Sequence, residues 1–263
     1  MDQVATSAGA TIALMYHALW AVAEDRAGAD AQYAVALPRF AEQLALCQRI
    51  GGAAISARDW LTGRPGVILT FDDGHVSNHR LGLPALRAAG ASADFFVNPA
   101  QVGTRGFATW PELREMADAG MSIQSHGLDH RSYLTSLPPS RLREDLRRAR
   151  LEIEEKIGRP VTLLAPPGGR APPNLERIAR EVGYTDVFGS KPAAISRGRH
   201  HTHGRFAVTA GLAQGAFESL LRGGRARIRA QLRFAVLALA KQALGDDRYE
   251  RTRARFTGTS VEH

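Results

Sequence analysis

A single cysteine, Cys47, is the only thiol in this chain, so no intrachain disulfide can hold it together. It reads as a buried thiol within a helix. Long apolar runs are missing as well. Stretches such as Phe234 to Ala240 fall far short of the roughly 18 residues of a membrane span. The opening residues, MDQVATSAGATIALMYHALW, lack a basic leader, an apolar segment and a small-residue cleavage site in that order. This predicts no secretory signal and points to the cytoplasm or a membrane face. Internal repeats and low-complexity segments are absent too. With 263 residues, 44% of them hydrophobic, and a mean hydropathy of -0.21, the chain is neither disordered, collagen-like nor a coiled coil. Its size suits one large core, and single α/β barrels reach this length.

Charge is unevenly spread. The net charge is +8 and the isoelectric point near 10.3. Between Arg222 and Arg255 stand ten basic residues against Asp246, Asp247 and Glu250, a surplus of seven. The basicity therefore belongs to a tail, and the body is nearly neutral. No recognition motif or interleaved aromatic pattern accompanies the charge, so nucleic acid is not an expected partner.

Apolar β-rich runs alternate with helical patterns. Strands are expected at residues 11–17, 66–74, 93–99, 121–127, 161–167, 185–190 and 205–209. Helices are expected at 38–50, 80–89, 109–120, 140–157 and 174–182. Thr109 reads as an N-cap, with Pro111 in the first turn and Gly120 as C-cap. Leu142, Leu146, Ala149, Ile153 and Ile157 form one stripe at helical spacing. Such alternation indicates a parallel sheet covered by helices, and both a doubly wound sheet and a closed barrel satisfy it. Beyond residue 210 the pattern turns to Arg- and Ala-rich helices. A barrel over 1–210 and a basic helical extension over 211–263 follow. Ile228, Leu232, Val236 and Leu239 line up there as an apolar stripe flanked by arginines. Two readings of it stand: packing against the barrel, which is favoured, or contact with anionic lipid.

In either parallel architecture the active site lies at the C-terminal ends of the strands, where His17, Asp72, Asp73, His126, His130 and the loop Pro166–Arg170 fall. Adjacent carboxylates repel, so one of Asp72 and Asp73 needs a cation or a proton. A divalent ion on one leaves the other free as a general base; alternatively, Asp-Asp-Gly is only a turn. His126 and His130, in HGLDH, can converge on one ion if the backbone makes a helical turn. Joined by a strand-terminal aspartate they supply three ligands and leave positions open, which is the pattern of a catalytic metal. Gly168 and Gly169 let backbone approach a ligand, and the Gly168 N–H could hold an oxyanion. A tight strand-to-helix connection is the plainer account of that loop. The histidines His200, His201 and His203 read first as a solvated loop; of the three, His203, which precedes a strand, is the one expected to face the site, and His17, which ends a strand, is a comparable candidate for a proton donor.

LMYHAL, LTFDDG, SHGLDH and LAPPGGR, in that order, together resemble the polysaccharide deacetylase family, the carbohydrate esterases related to nodulation-factor chitooligosaccharide deacetylase. The resemblance covers about residues 11–210. It implies a distorted (β/α) barrel with fewer than eight regular strands. It also implies Asp72 as catalytic base, Asp73, His126 and His130 as ligands of one divalent metal, usually zinc, and Gly168 as an oxyanion donor. Three departures stand out. Gly127 occupies a usual Ser/Thr position, and Gly168 replaces an aromatic. Ala165 stands where many members carry an arginine that orients the aspartate; Arg170 is the candidate substitute. No closing Leu-x-x-His motif supplies the general acid, leaving His203 or His17.

The expected activity is metal-dependent removal of N-acetyl groups from a polysaccharide, oligosaccharide or lipid-linked sugar. The alternatives are O-acetyl or non-sugar C–N hydrolysis at the same site, and a glycan- or membrane-binding relic without turnover.

Overall fold

The computed structural model describes residues 11–130, 134–169, 171–196 and 202–244, excluding the side chains of Ser136 and residues 237–244. It begins with β1 (Ala13–Tyr16), β2 (Ala18–Trp20), β3 (Ala34–Ala36), α1 (Leu37–Gly51), β4 (Ala54–Ile55) and α2 (Ala57–Leu61). The middle holds β5 (Val67–Phe71), α3 (Leu83–Ala88), β6 (Asp94–Val97), α4 (Trp110–Asp118), β7 (Ser122–Ser125) and α5 (Pro139–Ile157). The chain continues through β8 (Leu163–Leu164), α6 (Leu175–Glu181), β9 (Asp186–Phe188), β10 (Thr202–His203), β11 (Phe206–Ala207), α7 (Gln214–Leu221) and α8 (Arg225–Leu244).

One all-parallel sheet runs in the order β10-β9-β8-β7-β6-β5-β1-β11, with β4 joined to β5. This is a distorted (β/α) barrel. Of the eight strands on that path β8, β10 and β11 are two residues each, so fewer than eight are regular. The two ends of the path meet in one stretch of chain. Only Gly204 and Arg205 separate β10, paired to β9, from β11, paired to β1. A bent strand thus bridges the sheet's two edges. Gly204 is obligatory at the bend, because a Cβ there would stand 2.3 Å from the Lys191 carbonyl.

Strand alternation divides the core in two. Leu14, Leu69, Phe71, Phe95 and Ile123 face outward into the layer shared with the helices, where all five helix-stripe residues from Leu142 to Ile157 are buried. Ala13, Ile68, Phe96, Leu163 and Phe188 fill the barrel interior. Extending the inward parity along β5 brings Thr70 and then Asp72 to the interior.

The expected helices are present, with local differences. Thr109 caps α4 and forms a reciprocal pair with Glu112, while Ala119 ends the helix and Gly120 follows with φ +93°. The segment expected as one helix over 80–89 opens instead with a π turn at Asn78–Gly82. Pro84, in the first turn of α3, has no N–H to continue an α ladder backward. Cys47 is buried in α1, and burial pushes its thiol up to about 12. Beyond residue 210 the first helix, α7, is not separate from the barrel: Phe217, Leu220 and Leu221 join the outer core beside α1. The described part of the α8 stripe differs from the favoured packing, since Ile228, Leu232 and Val236 face outward and the helix packs through Ala226 and Ala230, while the side chain of Leu239 lies outside the described residues. Small residues let the helix axis approach the core, and that sets which face turns in. No described helix is long and apolar enough to cross a membrane.

Candidate active site

The strand β5 ends at Phe71, and the next residue, Asp72, continues the inward parity and is 3% exposed. Its carboxylate would be costly there without a cation. The cation is Arg205, at the bend of the closing strand and fully buried. Its Nη1 donates to Asp72 Oδ1 at 2.6 Å and to Thr70 Oγ1 at 3.0 Å; Nη2 donates to Asp72 Oδ2 at 2.8 Å. Nε donates to the Gly189 carbonyl, and the guanidinium lies 5.4 Å over the Phe96 ring. A bidentate fork fixes both the charge and the orientation of the carboxylate. Burial alone would raise the Asp72 pKa, but Arg205 and the charges of His126 and His17 hold it below the ordinary value.

Asp73 should point outward by alternation. It does not, because its φ is +72°, the left-handed region that Asp adopts more readily than most residues. That one residue swings the carboxylate back over the strand ends. Its Oδ1 lies 3.3 Å from His126 Nε2 and 3.5 Å from His130 Nε2. His126 continues β7 inward, held by its N–H donating to the Val97 carbonyl and its carbonyl accepting from Asn98 Nδ2. His130 is brought up by the turn that Gly127 begins with φ +80°.

Asp73, His126 and His130 place three ligand atoms within 4.8 Å of one another. The set fits a metal ion on two counts. Asp73 Oδ1 is buried with no hydrogen-bond partner although two imidazole nitrogens converge on it. Ligands about 2.0–2.1 Å from a tetrahedral ion stand about 3.3 Å apart, and both separations here match. Two imidazoles and a carboxylate form a donor set suited to zinc. Burial would raise the Asp73 pKa, yet contact with His126 and the charges of His17, His126 and His130 hold it far below the ordinary value. Burial lowers His126, but Asp72 and Asp73 outweigh that and raise it. His130 is lowered, by burial first and then by His126 and His17, against the opposing pull of Asp73.

His17 shares a cavity of about 40 Å³ with Asp73, Asp30, His75 and Phe107. Its ring stacks on Tyr33 at 4.5 Å, and its Nδ1 is buried without a hydrogen-bond partner. His203 has a carboxylate partner of its own. Its Nε2 is 2.7 Å from Asp186 Oδ1, and the ring lies between Trp60 and Phe188 in the barrel interior. Asp186 and Phe188 share the inward face of β9, and that pairing draws the imidazole down among the core residues.

The proline loop lies against the histidine loop, since a Cβ on Gly127 would meet Pro167 Cγ at 3.4 Å. Gly168 adopts φ +61° and ψ +12°, and Gly169 has no room for a Cβ beside Ser190 Oγ, which would be 1.9 Å away. Arg170, the expected substitute cation, lies outside the described residues, as do His200 and His201. The place beside Asp72 is taken by Arg205, a residue that sequence motifs missed. Its only local signal is an arginine at the start of an apolar strand, 133 positions from its partner.

Residues 61–187 match the polysaccharide deacetylase family. The curated relative YxkH of Bacillus subtilis (strain 168), which carries the name polysaccharide deacetylase provisionally, is 29% identical over 153 residues. The match takes in 57% of this chain and 54% of that relative, so the chain spans about half of the relative's length. Among solved structures, the Streptococcus pyogenes deacetylase PplD, in complex with acetate, superposes with a TM-score of 0.71 at 19% identity. That similarity covers 82% of this chain and 98% of the other. IcaB from Ammonifex degensii superposes with a TM-score of 0.67 at 25% identity, covering 84% and 97%.

Proposed function

We propose that this chain, whose residues 61–187 match the polysaccharide deacetylase family, is a metal-dependent hydrolase removing N-acetyl groups from a glycan. The observation that carries the reading is the convergence of Asp73, His126 and His130 beside an arginine-held Asp72. A bound divalent ion, zinc by its donor set, supplies Lewis-acid polarisation of the acyl oxygen and a water of lowered pKa.

The chain's own groups do the rest. Asp72, ionised and aimed by Arg205, takes a proton from the attacking water as its oxygen bonds to the acetyl carbon. The Gly168 N–H donates to the oxygen on which negative charge develops. His17 is the proton donor in this scheme, because it shares the cavity with Asp73 while His203 is engaged by Asp186. It gives a proton to the amide nitrogen as the C–N bond breaks, so acetate and a free amino sugar leave. Tyr33, stacked on His17, orients the ring.

The test is acetate release from a panel of N- and O-acetylated glycans, run with as-purified, chelated and zinc-restored protein. N-acetyl substrates should release acetate, stop doing so on chelation and resume with zinc. Release from O-acetyl sugars alone would make this an esterase; full activity in a metal-free sample would overturn the scheme.

A further inference from the structure

Six large apolar side chains stand well exposed among the described residues, and three of them share one helix face. Ile228, Leu232 and Val236 are 57%, 62% and 64% exposed and follow one another at four-residue spacing along α8. They make a stripe about 12 Å long. Exposed arginines Arg225, Arg229 and Arg233 form a second row alongside it, also at four-residue spacing. Over its whole length α8 carries no Asp or Glu.

The opposite face is what fastens this helix to the protein. Ala226 and Ala230 pack on the core and Phe234 is half-buried. Arg227 is consumed in the same attachment, its Nε donating to the Leu220 carbonyl at 2.8 Å and its Nη2 to that of Leu221 at 3.1 Å. The outward face is therefore held in a fixed presentation with both rows free.

An apolar row beside an all-cationic row matches one kind of surface, in which hydrocarbon lies beneath a layer of negative charge. A second copy of this chain fits less well, because it would bring a like-charged helix against this one. We propose that α8 docks the protein on an anionic lipid bilayer, lying in the interface plane. Ile228, Leu232 and Val236 enter the acyl boundary, and Arg225, Arg229 and Arg233 meet headgroup phosphates. The inference is independent of the reaction proposed above.

Flotation of the full chain with phosphatidylcholine vesicles, with and without phosphatidylglycerol, tests it. The protein should float with the anionic vesicles only, and less at high salt. Arg225→Gln/Arg229→Gln/Arg233→Gln should lower partitioning roughly a hundredfold. Leu232→Ser/Val236→Ser should lower it about tenfold or more. All these positions are exposed, so circular dichroism and acetate release from a soluble substrate should be unchanged in each variant. Absence of flotation with anionic vesicles would overturn the proposal. So would equal flotation by the serine variant, or a dimer in light scattering that the serine variant dissociates.

Discussion

Asp72 and Asp94 are both buried carboxylates on neighbouring strands, one just past the end of β5 and the other at the start of β6. Their surroundings differ in the charges that face them. Asp72 is gripped by the two arms of Arg205, which together with nearby histidines keeps it ionised against the pull of burial. Asp94 has neutral donors, the Ala57 N–H at the start of α2 first among them, with the Arg58 charge contributing least. Burial wins there and raises its pKa to about 6. Hydrogen bonds from amides stabilise a buried carboxylate less than a bidentate cation does. The end of the barrel that carries the candidate site thus holds its charges fixed, while the start of β6 holds one that can be neutralised.

The largest effect should come from removing the proposed metal set. Asp73→Ala or His126→Ala should bring acetate release to background and abolish zinc retention, read by elemental analysis. Asp72→Asn should keep the metal and lose about a thousandfold in kcat. Single-turnover assays with zinc-loaded protein separate these two outcomes; equal zinc loss in both would break the division of labour between the adjacent aspartates.

Arg205→Met sharpens the contrast between the two buried acids directly. It strands the Asp72 charge, so stability in urea should fall by about 3–5 kcal/mol. Adding Asp72→Asn should restore much of that stability while turnover stays lost. A double variant no more stable than the single one would show that Arg205 acts by packing on Phe96 instead of through the carboxylate. The two histidines divide in the same way. His17→Ala should lower kcat about a hundredfold or more with zinc retained, whereas His203→Phe should cost stability and leave most of the turnover. The reverse result would return the donor role to His203.

The smallest expected change concerns Asp94. Its folded pKa is raised above the unfolded value near 3.8, so the protonated form is the one that folding favours. The stability it contributes is complete below about pH 4 and is lost as pH rises through about 6. Asp94→Asn should remove that slope and differ from the parent by about 3 kcal/mol between those limits. Thermal melts of both proteins from pH 4 to 8, compared point by point, measure it. Parallel curves would mean that Asp94 is ionised throughout.

Where the determinants were local, the fold was legible beforehand. The Leu142–Ile157 stripe is buried as its period requires, and Thr109 and Glu112 cap α4 through neighbours three residues apart. The short strands β2, β3, β4 and β10 were not legible, because two or three residues carry no period of their own and exist by pairing with distant chain. The π turn before α3 also escaped a reading that saw only helical spacing. In the site, the Asp-Asp-Gly and HGLDH motifs were visible as candidates. The left-handed φ of Asp73, which turns a side chain from outside to inside, was not. Nor was the exposure of the α8 stripe, since a helical period says which residues share a face and leaves open which face meets the core.

By itself the sequence determined the alternation of strands and helices, the capping of α4 and which chemical groups stand at the strand ends, because these depend on neighbours along the chain. Only the tertiary structure decided that a strand bent at Gly204 bridges the two edges of the barrel and delivers Arg205 to Asp72. That contact joins residues 133 positions apart, and it forms because a buried negative charge must find a positive one wherever the fold can bring it.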